Sequence, residues 1–104
     1  MNQKEFEKIV DNQIASCLST LGVKAAEYAT DEDRLHNFRV AAALQGISVE
    51  QVIAGMMAKH TISIYDMCRA NSPFTVGFWN EKITDHINYL LLLKAAVVER
   101  GNEA

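Results

Sequence analysis

Apolar residues in this chain recur every third or fourth position, the period of an amphipathic helix, and nowhere alternate as a strand would. Phe6, Val10, Ile14, Cys17 and Leu21 form one such stripe. It predicts a helix from about Lys4 to Leu21 with Gly22 as its stop. Val23 to Ala29 reads as its continuation or as a short second piece. Thr30, followed by Asp31, Glu32 and Asp33, predicts the next start: a capping hydroxyl, then acids where the helix dipole favours them. Leu35, Phe38 and Ala42 make the packing stripe of that helix, which ends near Gln45 with Gly46 behind it. Ser48 and Gln51 form a capping box for a third helix, Val49 to about Ala70. Its apolar face holds Ile53, Met56, Met57, Ile64, Met67 and Cys68. NSPFTVGFWN, residues 71–80, reads as a loop, and the last helix is expected from Asn80 or Glu81 to about Arg100, ended by Gly101.

That last helix, EKITDHINYLLLLKAAVV over residues 81–98, has apolar side chains in every sector. Ile83, Ile87, Leu90, Leu91, Val97 and Val98 make its widest face, and Leu92, Leu93, Ala95 and Ala96 cover the rest. Such a helix suits the centre of a bundle or a subunit interface. Lys94, within the Ile/Val face, is expected to reach water along its own stem.

With a single proline and no alternating β-branched run, the pattern predicts an all-α chain, a small bundle of four to five helices. Its 104 residues make one domain, and 49% hydrophobic residues are ample for a core. The wide apolar faces of the first and last helices exceed what four short helices cover, so completion by homo-oligomerisation is expected. A net charge of −3 argues against direct binding of a nucleic-acid backbone. The apolar run Tyr89 to Val98 is far short of the ~20 residues that cross a bilayer, so no membrane partner is expected. The mixed, amphipathic start MNQKEFEKIV is unlike a signal peptide. Cys17 and Cys68 lack CxxC spacing and read as reduced core thiols. Together these point to a cytoplasmic protein.

The candidate chemistry begins where the greasy last helix turns polar. Glu81, Asp85 and Asn88 fall within roughly 60° of one another on its first half. Two carboxylates one turn apart can hold Mg²⁺, which takes one or two protein carboxylates and leaves its other positions to water and phosphate. As plain first-turn acids, Glu81 and Asp85 would simply answer the helix dipole; for Glu81 alone that reading is preferred. Asn88, a turn deeper among leucines, needs hydrogen-bond partners if buried. On the third helix Lys59, Ser63 and Asp66 share a stripe opposite the methionine face; they suit phosphate and metal contacts or, equally, a solvated surface. His60 projects from the methionine face and reads as a hydrogen-bonded core or interface residue. Asn37 stands beside the packing stripe of its helix, free to meet a ligand or a neighbouring helix. Glu27, next to Tyr28, offers a third carboxylate for a cation.

Taken together, EYATDEDRLHNFRVAA, GMMAKHTISIYD and EKITDHINYLLLLKA resemble a family of small phage and prophage proteins, the nucleotide-modification-associated domain family. The likeness spans residues 24–98 and leaves out the first helix, residues 1–22. More distantly, the chain resembles the all-α, MazG-like nucleotide pyrophosphohydrolases. The matching positions are Tyr28, Asn37 with Phe38, Lys59, Glu81 with Asp85, and Asn88 with Tyr89. The resemblance implies an often oligomeric helical bundle acting in phage deoxynucleotide metabolism. A pyrophosphohydrolase of that kind would bind Mg²⁺ through carboxylates of two helices and cleave a nucleoside triphosphate to monophosphate and pyrophosphate. The chain departs from it in two places. The Glu-Glu-x-x-Glu helix is absent, with only Glu27 and Asp31 in its neighbourhood. In the following Glu-x-x-Asp, Lys82 stands where the glutamate belongs.

The expectation is therefore a phage or prophage protein of nucleotide metabolism, either a Mg²⁺-dependent (deoxy)nucleoside triphosphate pyrophosphohydrolase or a nucleotide-binding domain, in which Glu81, Asp85, Asp66 and Glu27 are the candidate Mg²⁺ ligands. Asn37, Lys59, Ser63, Asn88 and Tyr28 would contact the nucleotide. The small pocket is expected to be anionic, with the last helix as one wall, Lys59, Ser63 and Asp66 as the other, and Asn37 at its rim. The alternative is a non-catalytic helical interaction module whose acids and Asn88 satisfy one another at an interface.

Overall fold

The computed structural model of the protein describes residues 1–28, 32–71 and 73–103, apart from the side chains of 26–28 and 102–103. Among the described residues the chain forms four helices and no strand: α1 (Gln3–Tyr28), α2 (His36–Gln45), α3 (Val49–Arg69) and α4 (Val76–Glu103). The all-α bundle expected from the apolar period is what the backbone adopts.

Local chemistry explains where the helices begin and end. Ser48 and Gln51 form the expected capping box: Ser48 Oγ accepts from the Gln51 backbone N–H at 3.1 Å, and Gln51 Oε1 accepts from that of Ser48 at 2.9 Å. Gly46 closes α2 at φ 67°, a left-handed conformation that glycine adopts without strain. The Ile47 N–H then reaches back to the Ala42 carbonyl at 3.1 Å. Gly22 and Gly101 do not stop their helices, which run on to Tyr28 and Glu103. Of the described glycines only Gly46 has a positive φ; glycine in a helix costs about 1 kcal/mol, which is not enough to end one.

Two predicted starts move. The segment Glu32 to Leu35 is a turn and not a helical first turn. Asp33 accepts the Leu35 N–H at 3.0 Å, and its carbonyl accepts that of His36 at 3.2 Å, so α2 begins at His36. Thr30 and Asp31 lie outside the described residues. At the other boundary α4 starts about four residues early. Thr75 Oγ1 accepts the Phe78 N–H at 3.1 Å and caps the helix, while Phe74 packs edge-on against Trp79, with ring centroids 6.2 Å apart. That is the hydrophobic staple that fixes a helix entry. Glu81 and Asp85 are therefore in the second and third turns of α4, beyond the reach of the dipole role considered for them.

The last helix is the hub. Against it and α2–α3, Leu35, Ile53 and Ala96 form the buried core, flanked by Phe38, Val49, Tyr89, Leu92 and Leu93. α3 runs antiparallel to α4: Thr61 Oγ1 meets His86 Nε2 at 2.7 Å, and Arg100 reaches Glu50 at 3.0 Å. α1 runs parallel to α4, since Gln13 Nε2 donates to Thr84 Oγ1 at 2.7 Å and Asn88 Nδ2 to the Cys17 carbonyl at 3.3 Å. Arg39 joins α2 to the rest by bridging Asp33 and Glu99. Those two acceptors raise the Arg39 pKa, and the same guanidinium holds Asp33 below its ordinary value.

Burial departs from the sequence expectation at Cys68 and shows which apolar residues of α1 and α4 stay uncovered. Cys17 is buried, but Cys68 is exposed, so it is not a core thiol. Leu90, Leu91, Val97 and Val98 stay exposed, and α4 packs instead through Leu92, Leu93 and Ala96. Phe6, Ile9, Val10 and Ile14 of α1 are likewise uncovered. Lys94 is exposed, as its stem suggested. No single helix among the described residues is long and apolar enough to cross a membrane.

Candidate functional site

All four helices contribute to one cavity of about 390 Å³. α1 lends it Thr20, Leu21 and Lys24; the turn before α2 and the start of α2 lend Arg34, Asn37 and Phe38. α3 adds Met56, Lys59 and His60, and α4 adds Asp85, Asn88, Tyr89 and Leu92. The helical period explains the sets. Lys59 and His60 lie one turn past Met56, and Asp85, Asn88, Tyr89 and Leu92 are the i, i+3, i+4, i+7 positions of one face.

The wall chemistry is divided. Leu21, Phe38, Met56, Tyr89 and Leu92 supply apolar and aromatic surface, and the His60 ring lies tilted against Tyr89 with centroids 5.0 Å apart. Among the described residues, Lys24, Arg34 and Lys59 bring three cations to the cavity and Asp85 one carboxylate. Neither Arg34 nor Lys59 has a carboxylate within ion-pair distance among the described residues. Burial holds the His60 imidazole below the ordinary histidine value of 6.5. The Asp85 carboxylate pulls the other way, while Lys59, Lys82 and His86 add to the effect of burial.

Four of the predicted contacts, Asn37, Lys59, Asp85 and Asn88, meet in this cavity. Glu81 borders instead a shallower polar depression of about 410 Å³ beside it, with Ser16, Asn80 and Thr84. Thr20, Lys24 and Asp85 line both, so the two are neighbours across the α1–α4 seam. Ser63 and Asp66 line neither; Asp66 is exposed, with Arg69 at 3.7 Å one turn on. The wall expected from Lys59, Ser63 and Asp66 is thus reduced to Lys59, because the stripe they share runs two turns, roughly 10 Å, along α3 and carries Ser63 and Asp66 away from the cavity. The Glu27 and Tyr28 side chains lie outside the described residues.

Lys24, Arg34 and His60 were missed as wall residues. Lys24 belongs to a stretch read as a helix continuation or a short second piece, and Arg34 to one read as the start of the next helix. For His60 the sequence did carry a signal, a histidine on an apolar face, but it pointed equally to the core. No group of three or more histidine, cysteine, aspartate or glutamate side chains that would hold a metal occurs among the described residues. Glu81 and Asp85, four residues apart and lining the same depression, fit a Mg²⁺ that keeps most of its water and takes the rest from phosphate. They do not amount to an all-protein cage.

Comparison with protein-family models, with curated proteins and with solved structures yields no significant match to this chain.

Proposed function

We propose that the cavity binds a nucleotide, its phosphates against Lys24, Arg34 and Lys59 and its base on the Phe38–Tyr89–His60 side. One observation carries this reading: cations and an aromatic, apolar surface line one cavity of about 390 Å³, within the usual size of small-molecule sites. A phosphate needs the first and a base the second. Asp85 and Glu81 would hold Mg²⁺, which would supply charge neutralisation for the phosphates, and the resemblance to MazG-like enzymes makes pyrophosphate release from a deoxynucleoside triphosphate the reaction to look for. The chain's own part in it would be to orient the phosphates with Lys59 and Arg34 and to hold the cation through Asp85.

The test is titration of the protein with the four deoxynucleoside triphosphates and Mg²⁺, read by heat and by released pyrophosphate. Asp85→Asn should keep the fold and abolish the Mg²⁺-dependent part of nucleotide binding, since a hard cation needs the charge. Unchanged Mg²⁺ dependence in that variant would remove Asp85 as a ligand.

A second reading, a helical interaction module, draws on a different observation. Phe6, Ile9 and Ile14 of α1 are each half or more exposed, at 51, 50 and 54%. Such a row suits a second copy of the chain, and a shared interface is compatible with nucleotide binding.

A further inference from the structure

The outer face of α4 has a symmetry that the bundle itself does not use. Counting outward from Ile87, Ile83 and Leu91 stand four residues away on either side, Asn80 and Lys94 seven, and Val76 and Val98 eleven. On a helix all of these fall within roughly 80° of one another. Steps of four, three and four place eleven residues in three turns, so the row follows the helix with little drift. Asp85, Tyr89 and Leu92, which line the cavity, are on the opposite side of α4. Val76, Leu91 and Val98 are 75, 46 and 48% exposed, Asn80 and Lys94 are exposed, and Ile83 and Ile87 are only partly covered. Neither Asn80 nor Lys94 has a side-chain hydrogen bond or ion pair among the described residues. Turned end for end, the row reads apolar against apolar and polar against polar.

We propose that this face is a two-fold seam on which a second copy of the chain lies antiparallel, with Ile87 on the axis. A closed two-fold contact needs a surface complementary to itself, residue i meeting j while j meets i. The row meets that requirement. Ile83 faces Leu91 across the axis, Val76 faces Val98, and Ile87 packs on its own copy. Lys94 Nζ donates to Asn80 Oδ1, so the two polar interruptions of the apolar row answer each other. Parallel alignment would instead set Lys94 against its own copy, two like charges in one seam. The available surface fits as well. The chain exposes 7447 Å², where a folded monomer of its mass shows about 5,800 Å². That excess is larger than the ~800 Å² which one partner gives an interface of standard size, and Val76 to Val98 offers about 33 Å of helix to bury it. The seam lies on a different helix from the exposed α1 row, and it stands whether or not the cavity takes a nucleotide.

Light scattering and sedimentation of the full chain over a micromolar concentration series read the seam and its direction. Wild type should have at least twice the 11.6 kDa of one chain, and Leu91→Glu should halve its mass while keeping a helical spectrum. If Leu91→Glu is not helical, Val98→Glu is read in its place. Asn80→Lys should weaken self-association at least tenfold, because it sets an ammonium against Lys94 twice in each pair of chains. Adding Lys94→Glu to Asn80→Lys should restore association, since a glutamate then meets a lysine across the axis. In a parallel seam the same double variant would oppose lysine to lysine and glutamate to glutamate, and would associate no better than Asn80→Lys alone. Wild type at the mass of a single chain, Leu91→Glu at the wild-type mass, or a double variant without recovery each overturns the proposal. So does a mass that falls with Phe6→Glu and Ile14→Glu but not with Leu91→Glu, which gives the contact to α1 instead.

Discussion

At the level of single residues, the candidate site is a matter of which charges stand alone. Lys59 is exposed and has no ion-pair partner among the described residues, so its charge does little for the fold. Lys59→Met keeps the apolar stem and removes the charge. It should weaken nucleotide binding by roughly tenfold or more, the worth of a hydrogen bond to a charged group, while leaving the melting temperature nearly unchanged. Equal affinity in calorimetry would return Lys59 to the solvated surface. His60 is the opposite case, a group whose protonation the fold resists. Its native pKa lies below the ordinary 6.5 because burial outweighs the pull of Asp85, with Lys59, Lys82 and His86 adding to burial. As pH falls through 6.5 the unfolded chain takes up this proton before the native one does. Stability from neutral His60 is therefore complete above 6.5, is lost as pH drops toward the native value, and falls no further below it. His60→Gln should narrow its melting-temperature gap to wild type between pH 7.5 and 5.5; a gap that widens on acidification would reverse the sign. Lys59, Asp85 and Asn88 were legible in the sequence, since each is a polar group at helical spacing beside an apolar face. The hydrogen-bond partner of Asn88 was not, because the Cys17 carbonyl lies 71 residues away.

Among the elements, legibility followed the locality of the signal. The Ser48–Gln51 box and the Gly46 terminator act within a few residues, and both appear where the sequence placed them. Gly22 and Gly101 misled because a glycine ends a helix only where the chain turns left-handed, and neither does. The start of α4 misled for a related reason. Pro73 and Gly77 gave residues 71–80 the composition of a loop, yet Thr75 caps a helix that already contains Gly77. The cap has consequences for the site, since the register of α4 aims Asp85 and Asn88 into the cavity. Thr75→Ala should destabilise the protein by about 1 kcal/mol, which for a domain of this size lowers the melting temperature by about 4–8 °C. Thr75→Asp, which restores an acceptor, should recover most of it. A melting temperature indifferent to Thr75→Ala would mean that the Phe74–Trp79 staple alone sets the helix start.

For the molecule as a whole, the chain is more extended than a compact domain of its length. The Cα radius of gyration is 15.8 Å, against about 13 Å for a compact domain of this length. The accessible surface is 7447 Å², against about 5,800 Å² expected of a folded monomer of this mass. The difference, on the order of 1,600 Å² per chain, is what a chain contributes to an interface of obligate size, about 2,000–5,000 Å² in all. The uncovered surface is also of the right kind. Phe6, Val10 and Ile14 continue the stripe whose lower members, Cys17 and Leu21, pack inward, and Leu90, Leu91, Val97 and Val98 add a second face on α4. The sequence announced those faces as apolar and as more than four short helices can cover; which of their residues stay bare depends on how α1 and α4 pair, and that was not legible. A homo-oligomer is therefore the expected solution state. Light scattering at micromolar concentration should give a mass of at least twice the 11.6 kDa chain. Placing a charge in the row with Phe6→Glu and Ile14→Glu should shift that mass toward the single chain, because an unpaired carboxylate in an apolar interface is strongly disfavoured. As an exposed pair on a monomer, the same substitutions would be nearly silent. A wild-type protein that elutes as a clean 11.6 kDa species, with the variant indistinguishable from it, would refute the oligomer and leave the apolar row for a different partner.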